Sequence, residues 1–166
     1  MRKVAVIGSS GAIGRAFVDH YINDLSINSI FSFSRSSIGI DNNKVKHFLI
    51  DIENESSIKN AAKSVEETNF DEIIIASGLL HTNEFGPEKS VKDLKADNIL
   101  KVLNVNTVGP AIIGKYFLPL LNKDNKSVMA FLSARVGSIS ENKLGGWYAY
   151  RASKSALNQV IKTFSI

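Results

Sequence analysis

A short apolar run near the start of the chain, Lys3–Ile7, passes directly into Gly8-Ser9-Ser10-Gly11-Ala12-Ile13-Gly14, and an amphipathic stretch follows. Three glycines at this spacing constrain the fold more than any other feature. Gly8 allows a tight turn out of a strand. Gly11 lets backbone approach backbone or ligand without a Cβ, and Gly14 lets a helix pack closely on a sheet. The helix that opens there presents unpaired N–H groups and a partial positive charge, which suit a pyrophosphate. A glycine triplet alone is weak evidence. Its place after an apolar strand and before an amphipathic helix is the context the motif requires.

The rest of the chain repeats the alternation of short apolar runs and amphipathic stretches, the pattern of βαβ units around a parallel sheet. The first helix is predicted over about 11–25, with Ile13, Phe17, Tyr21 and Leu25 on one stripe. Strands are predicted at Ser29–Phe33 and Val45–Ile50. Ile58, Ala61, Ala62 and Val65 mark a helix by their i, i+3, i+4, i+7 spacing. Glu72–Ala76 holds three consecutive isoleucines, as a strand covered on both faces should. After a long loop through Pro87, a helix is predicted over about 95–121, bent where Gly109 and Pro110 interrupt it. Val128–Leu132 reads as a fifth strand. The last helix starts near Gly146, with Ala149, Ala152, Ala156, Val160 and Phe164 as its apolar stripe.

The 166 residues are enough for one domain with a sizeable core, and no repeat, linker or low-complexity tract divides them. No apolar stretch reaches the length of a membrane span. With no cysteine there is no disulfide and no thiolate metal site, which fits a reducing cytoplasm. His81 has no second histidine or acidic partner in its motif, so no metal is expected there. The net charge of +4 is spread along the chain without a basic run, which reads as solvated surface and not as a nucleic-acid patch.

Arg35 follows the second predicted strand in Phe33-Ser34-Arg35-Ser36, where the adenosine ribose of a dinucleotide would sit. An acidic residue there would bind both ribose hydroxyls and select NAD. None occurs from Ser32 to Ser37. Arg35, with the hydroxyls of Ser34 and Ser36, suits a 2′-phosphate, so NADP is expected ahead of NAD. The alternative is a surface arginine in a serine-rich loop. Asp51, ending the third strand beside Ile52, is placed to accept from an adenine amino group, or else simply leads into the next helix.

Near the C-terminus, Tyr150 and Lys154 lie four residues apart, on one face of a helix. A free tyrosine, with a pKa near ~10, is a reluctant proton donor at neutral pH. A neighbouring ammonium favours the phenolate and lowers that value. Such a pair suits general acid–base work when hydride arrives from a nicotinamide. A Tyr/Lys pair is common by itself; its place after the fifth strand, in a chain with the glycine turn, gives it weight.

Taken together these motifs resemble the short-chain dehydrogenase/reductase family. The segments Leu132–Ser138 and Gly145–Asn158, with Gly78-Leu79-Leu80-His81 and Gly86-Pro87-Glu88-Lys89-Ser90, resemble its C-factor and Sniffer-like carbonyl reductase subgroup. The resemblance implies a Rossmann-type doubly wound parallel sheet, strand order 3-2-1-4-5, forming a single dinucleotide-binding domain. It implies an oxidoreductase that reduces a carbonyl or oxidises an alcohol. Tyr150 would be the acid/base and Lys154 the residue that holds the nicotinamide ribose. Asn106 would position a water on a proton relay, and Ser133 would polarise the carbonyl, with Ser138 the alternative. Gly8, Ser10, Gly11, Ile13, Gly14, Ser34, Arg35, Asp51, Ile52, Ser77, Gly78, Tyr150 and Lys154 would contact the cofactor. The family also implies a dimer or tetramer, paired through the long helix and the helix bearing Tyr150. A non-catalytic dinucleotide-binding signalling protein, as C-factor suggests, is the second reading.

Two departures from the family pattern stand out. Its Asn-Asn-Ala-Gly after the fourth strand is Ile75-Ala76-Ser77-Gly78 here. Relatives continue beyond the equivalent of Ile166 through two further strands and helices. The fold is therefore expected to be truncated, with the fifth strand as an uncovered edge.

Overall fold

The computed structural model describes residues 2–166. The described residues pack as two compact units, one of residues 2–77 and Ile112–Leu132, the other of Gly78–Ala111 and Ser133–Ile166.

The first unit is built on five parallel strands: β1 (Arg2–Ile7), β2 (Ile27–Ser34), β3 (Val45–Leu49), β4 (Glu72–Ile75) and β5 (Val128–Phe131), in the order β3-β2-β1-β4-β5. The register sets Ile7 beside both Phe33 and Ile75, so the strands end together. Chain order reverses at β1, and the glycine turn leaves the sheet at that reversal, where open α/β sheets bind ligands. Beyond β5, no strand continues the ladder among the described residues.

Helix α1 (Ala12–Asn23) covers one face, where Val18 and Tyr21 pack on Val4, Val6, Ile30 and Ile74. Helix α2 (Glu55–Lys63) and residues 112–117 of α4 (Gly109–Phe117) cover the other. That second core is aromatic. Phe33 meets Phe117 edge-on at 5.4 Å between ring centres, and Phe31 meets Phe70 likewise at 5.0 Å. Burial of each such ring stabilises by roughly 1.5–3 kcal/mol. The predicted α2 stripe is the buried one: Ile58, Ala61, Ala62 and Val65 all lie inside.

The α1 stripe is the predicted one only at its middle, where Tyr21 is buried and Phe17 packs against the core. Ile13 is 54% exposed and Leu25, beyond the helix end, is 93% exposed; the buried face is Gly14, Val18 and Tyr21. The cause is Gly14. A Cβ there would stand 2.2 Å from the Gly8 carbonyl oxygen, so the bare glycine backbone is pressed against the turn. With Gly14 facing in, Ile13 is rotated about 100° away, toward solvent.

In the second unit, α3 (Ala96–Leu103) runs into a π turn (Asn104–Val108), which feeds α4. The predicted bend is therefore a wider turn lying upstream of Gly109. Pro110 has no N–H for the Asn106 carbonyl four residues back, and the Gly109 N–H reaches the Asn104 carbonyl five residues back instead. Helix α5 (Tyr148–Phe164) closes the unit. Its buried positions are Ala149, Ser153, Lys154 and Leu157, while Ala152 and Phe164 of the predicted stripe are exposed. Hydrogen bonds to Ser153, described below, fix this rotation. No described helix is long and apolar enough to cross a membrane.

Candidate active site

The first unit carries its own candidate site at the glycine turn. Gly8 has φ +89°, and the N–H groups of Gly8 and Ser9 both donate to the Phe33 carbonyl, at 2.9 and 3.1 Å. A Cβ on Gly8 would lie 2.9 Å from the Ser77 backbone nitrogen. Gly11 caps α1 with no side-chain bond to the first helical N–H groups, and Ser10, Gly11, Ala12 and Ile13 are exposed. The anion-attracting helix end is thus open. Next to Gly8, the Ser77 hydroxyl is buried without a hydrogen-bond partner among the described residues. Such an orphan costs roughly 1–3 kcal/mol, and a polar ligand at the turn would relieve it. This donor set fits a dinucleotide pyrophosphate.

A polar chain that sequence patterns do not reveal braces the turn. The buried Ser9 hydroxyl donates to the Phe33 carbonyl at 3.1 Å and lies 2.8 Å from the Ser32 hydroxyl, which lies 3.1 Å from His47 Nδ1. Because Ser9 gives its proton to Phe33, Ser32 must donate to Ser9 and Nδ1–H to Ser32. His47 Nε2 is left a buried acceptor without a partner among the described residues. Burial holds this imidazole below the usual histidine pKa.

At the end of β2, Ser34 is buried and donates to the Ser36 carbonyl at 2.5 Å, whereas Arg35 is exposed. Arg15 reaches over from α1 and donates to the Ile38 carbonyl at 3.2 Å, holding the loop that carries Arg35. Asp51 is exposed and accepts from the Glu53 N–H at 3.0 Å, and Ile52 packs on the aromatic core. Asn54, not Asp51, caps α2.

The second unit brings together Tyr150, Lys154 and Asn106. Lys154 is 3% exposed, with Nζ 5.8 Å from the centre of the Tyr150 ring. Gly137 makes this burial possible: a Cβ there would press to 2.9 Å from Lys154 Cβ. A Cβ on Gly78 would make ordinary contact, at 3.7 Å, with both Lys154 Nζ and Asn106 Oδ1, so Gly78 lies directly against these two polar groups. Burial pushes the Tyr150 phenol above the ordinary tyrosine value and the Lys154 ammonium below the ordinary lysine value. The acidified tyrosine expected from the four-residue spacing is not what this environment produces. Here desolvation raises the phenol.

Asn106 is fully buried and uses its amide completely. Its oxygen accepts from the Leu79 N–H at 2.7 Å; its nitrogen donates to the Leu79 carbonyl at 2.8 Å and the Ser153 hydroxyl at 3.0 Å. Ser153 passes its own proton to the Tyr150 carbonyl at 2.8 Å, and Thr107 donates to the Ser153 carbonyl at 2.9 Å. The π turn therefore holds α5 by its polar face. Ser133 is exposed and donates to Asn158 on α5 at 2.6 Å. The Ser138 hydroxyl makes long contacts of 3.4 Å with the Ser140 hydroxyl and the Glu141 N–H. Ser153, Thr107 and Asn158 escape sequence reading because a buried hydroxyl or amide on a helix has no periodic signature.

A family model described as short chain dehydrogenase matches residues 2–165. The chain is 31% identical over 113 residues to 1-hydroxy-2-glutathionyl-2-methyl-3-butene dehydrogenase of Rhodococcus sp. (strain AD45), covering 67% of this chain and 46% of that protein. It is 33% identical over 73 residues to the C-signal of Myxococcus xanthus, covering 44% of each. It thus spans about half the length of the curated relatives it matches. The NADPH-bound carbonyl reductase from chicken fatty liver shares the fold at a TM-score of 0.87 and 24% identity, over 99% of this chain and 70% of that one.

Proposed function

Because the chain belongs to the short-chain dehydrogenase family, we propose that it serves an NADP(H)-dependent oxidoreductase that interconverts a small-molecule carbonyl and its alcohol. The observation that carries this reading is the buried Lys154 one helical turn from Tyr150, with Asn106 fixed against the same helix.

When bound, the cofactor supplies or takes up a hydride. The chain's own residues do the rest. The exposed N–H groups at the start of α1 bind the pyrophosphate. Arg35 pairs with the 2′-phosphate, and no carboxylate from Ser32 to Ser37 opposes it. The Tyr150 phenol, held protonated by burial, gives its proton to the carbonyl oxygen as the carbon is reduced. The Lys154 charge then favours the phenolate left behind. In alcohol oxidation the proton runs the other way. The exposed Ser133 hydroxyl, turned from Asn158 Oδ1 to the substrate, donates its proton to the carbonyl oxygen and polarises it. The preference for NADP rests on Arg35 and is in keeping with the NADPH held by the chicken carbonyl reductase. Leu100 and Val108 leave apolar surface on α3 and the π turn, which supports pairing of two copies. By contrast Ile113, Phe117 and Leu157 are spent inside the chain.

The test is NADPH-dependent reduction of a panel of aldehydes and ketones, with binding followed through Trp147, whose ring lies 6.2 Å from that of Tyr150. Tyr150→Phe is expected to lower turnover by about 10²–10⁴-fold with NADPH binding retained. Binding without turnover, unchanged by this substitution, would instead support the signalling reading.

A further inference from the structure

Helix α5 begins in an unusual way. Gly145, Gly146 and Trp147 follow one another at φ +66°, +64° and +52°, all left-handed. A bulky residue is an outlier there, and L-residues resist that conformation by roughly 1–2 kcal/mol. Trp147 is also the N-cap of α5 and offers no side-chain acceptor to the first helical N–H groups. A helix end of this kind would ordinarily fray. Tyr150 is the third residue of that first turn.

Glu88 supplies what the cap lacks. It sits at the far end of the loop after β4, and its side chain is buried although it bears a carboxylate, at 6% exposure. Its backbone carbonyl accepts from the Trp147 N–H at 2.6 Å, and its Oε2 accepts from the Ala149 N–H at 3.3 Å. Gly146 has no Cβ because one would stand 3.2 Å from the Glu88 carbonyl oxygen. The segment is itself braced: the N–H groups of Lys89 and Ser90 donate to Asp93 Oδ2 at 3.1 and 2.8 Å. From the other side, Arg151 donates to the carbonyls of Gly146, Gly145 and Val136 at 3.0, 3.2 and 3.4 Å. The start of α5 is thus held through both its N–H and its C=O groups.

We propose that Glu88 is a positioning residue for the acid/base: by capping α5 from a remote loop it fixes the first turn, and with it the phenol of Tyr150 relative to Lys154. This rests on the reading of Tyr150 given above. Lys154 is secured deeper in the helix, where Gly137 packs on its Cβ; Tyr150 is tied to the Ser153 network through its carbonyl, and the N–H side of its turn is tied to Glu88, so loss of the cap loosens the turn of Tyr150 more than that of Lys154. The same loop is tied at its start to the π turn through Leu79 and Asn106. Residues 79–88 therefore connect the Asn106 amide to the first turn of the catalytic helix.

Two variants separate reach from charge. Glu88→Asp keeps the charge but is one methylene too short to hold the Ala149 N–H. Glu88→Gln loses the charge but keeps an acceptor oxygen at full length. In Glu88→Asp we expect hydrogen exchange of residues 148–151 to quicken at least ~10-fold while exchange in β1 and β4 stays as in wild type. The Tyr150 phenol, followed by NMR of ring-labelled tyrosine against Tyr150→Phe, should titrate nearer the ordinary value as the turn opens to water. Turnover should fall about 10²-fold at unchanged KM for NADPH, the scale of a misplacement of about 1 Å. Glu88→Gln should restore all three. Wild-type exchange and titration in Glu88→Asp, or a Glu88→Gln as impaired as Glu88→Asp, would overturn the proposal. If the wild-type chain reduces no carbonyl, the oxidoreductase reading fails by itself; exchange and titration still decide whether Glu88 holds Tyr150.

Discussion

Replacing Gly14 with alanine sets two physical arguments against each other with opposite sign. Gly14 lies inside α1, and at an unobstructed helical position the change from glycine to alanine gains about 1 kcal/mol. Here the added methyl would lie 2.2 Å from the Gly8 carbonyl oxygen, 2.8 Å from the Gly8 carbonyl carbon and 3.0 Å from Ser9 Cα. All three obstacles are backbone, and no rotamer change relieves them. The helix must retreat by about an ångström from a turn whose N–H groups are bonded to β2. Overpacking of this kind costs ~1–3 kcal/mol and occasionally more, and a rigid backbone contact belongs at the upper end. A loss near 3 kcal/mol lowers the melting temperature by roughly 6–12 °C for a chain of this size. Gly11→Ala is the control. Gly11 has φ −76°, and its added Cβ would rest 3.4 Å from the Gly8 oxygen, an ordinary contact. Its poorer capping and its lower unfolded-state entropy nearly cancel, so a change within about 0.5 kcal/mol is expected. Circular dichroism melts and urea titrations of the three proteins decide the matter. If Gly14→Ala melts at or above the wild-type temperature, helix propensity has won and the close approach of α1 to the turn is not what holds it.

Two further outcomes follow from the same geometry. Arg35→Asp should weaken NADPH binding by about 10- to 100-fold, the worth of a charge-assisted hydrogen bond to phosphate, and should bring NADH binding level with it or ahead; fluorescence titration of Trp147 with each nucleotide measures both. His47, kept below its ordinary pKa of 6.5 by burial, stays neutral in the folded chain while the unfolded chain takes up a proton as the pH falls through that value. Its contribution to stability is therefore complete above 6.5 and is lost as the pH drops toward the folded value. Urea midpoints measured from pH ~7.5 down to ~5.5 should fall more steeply for wild type than for His47→Asn, which keeps a donor for Ser32 and cannot ionise. Parallel curves would show that the buried imidazole does not feel this environment.

How far the sequence could be read depended on whether local chemistry or distant neighbours set each position. The strands, their parallel arrangement, the glycine turn and the α2 stripe were legible because each rests on nearby residues. Three consecutive isoleucines form a strand buried on both faces wherever they stand, and the spacing of Gly8, Gly11 and Gly14 dictates a strand-to-helix turn. Rotations of whole helices were not. Counting apolar residues put Ile13 and Ala152 inside. A backbone contact at Gly14 and the bonds from Asn106 and Thr107 to Ser153 turned them out.

The site divides in the same way. Its residue types and the four-residue interval between Tyr150 and Lys154 are written in the chain. Their ionisation is not: spacing suggests an acidified phenol, whereas burial raises it, because desolvation depends on everything packed around a group. Glu88 shows the difference most plainly. Sixty-one residues before the N–H it caps, it carries no mark of that task until folding brings the loop to the helix, and only the tertiary structure could assign it.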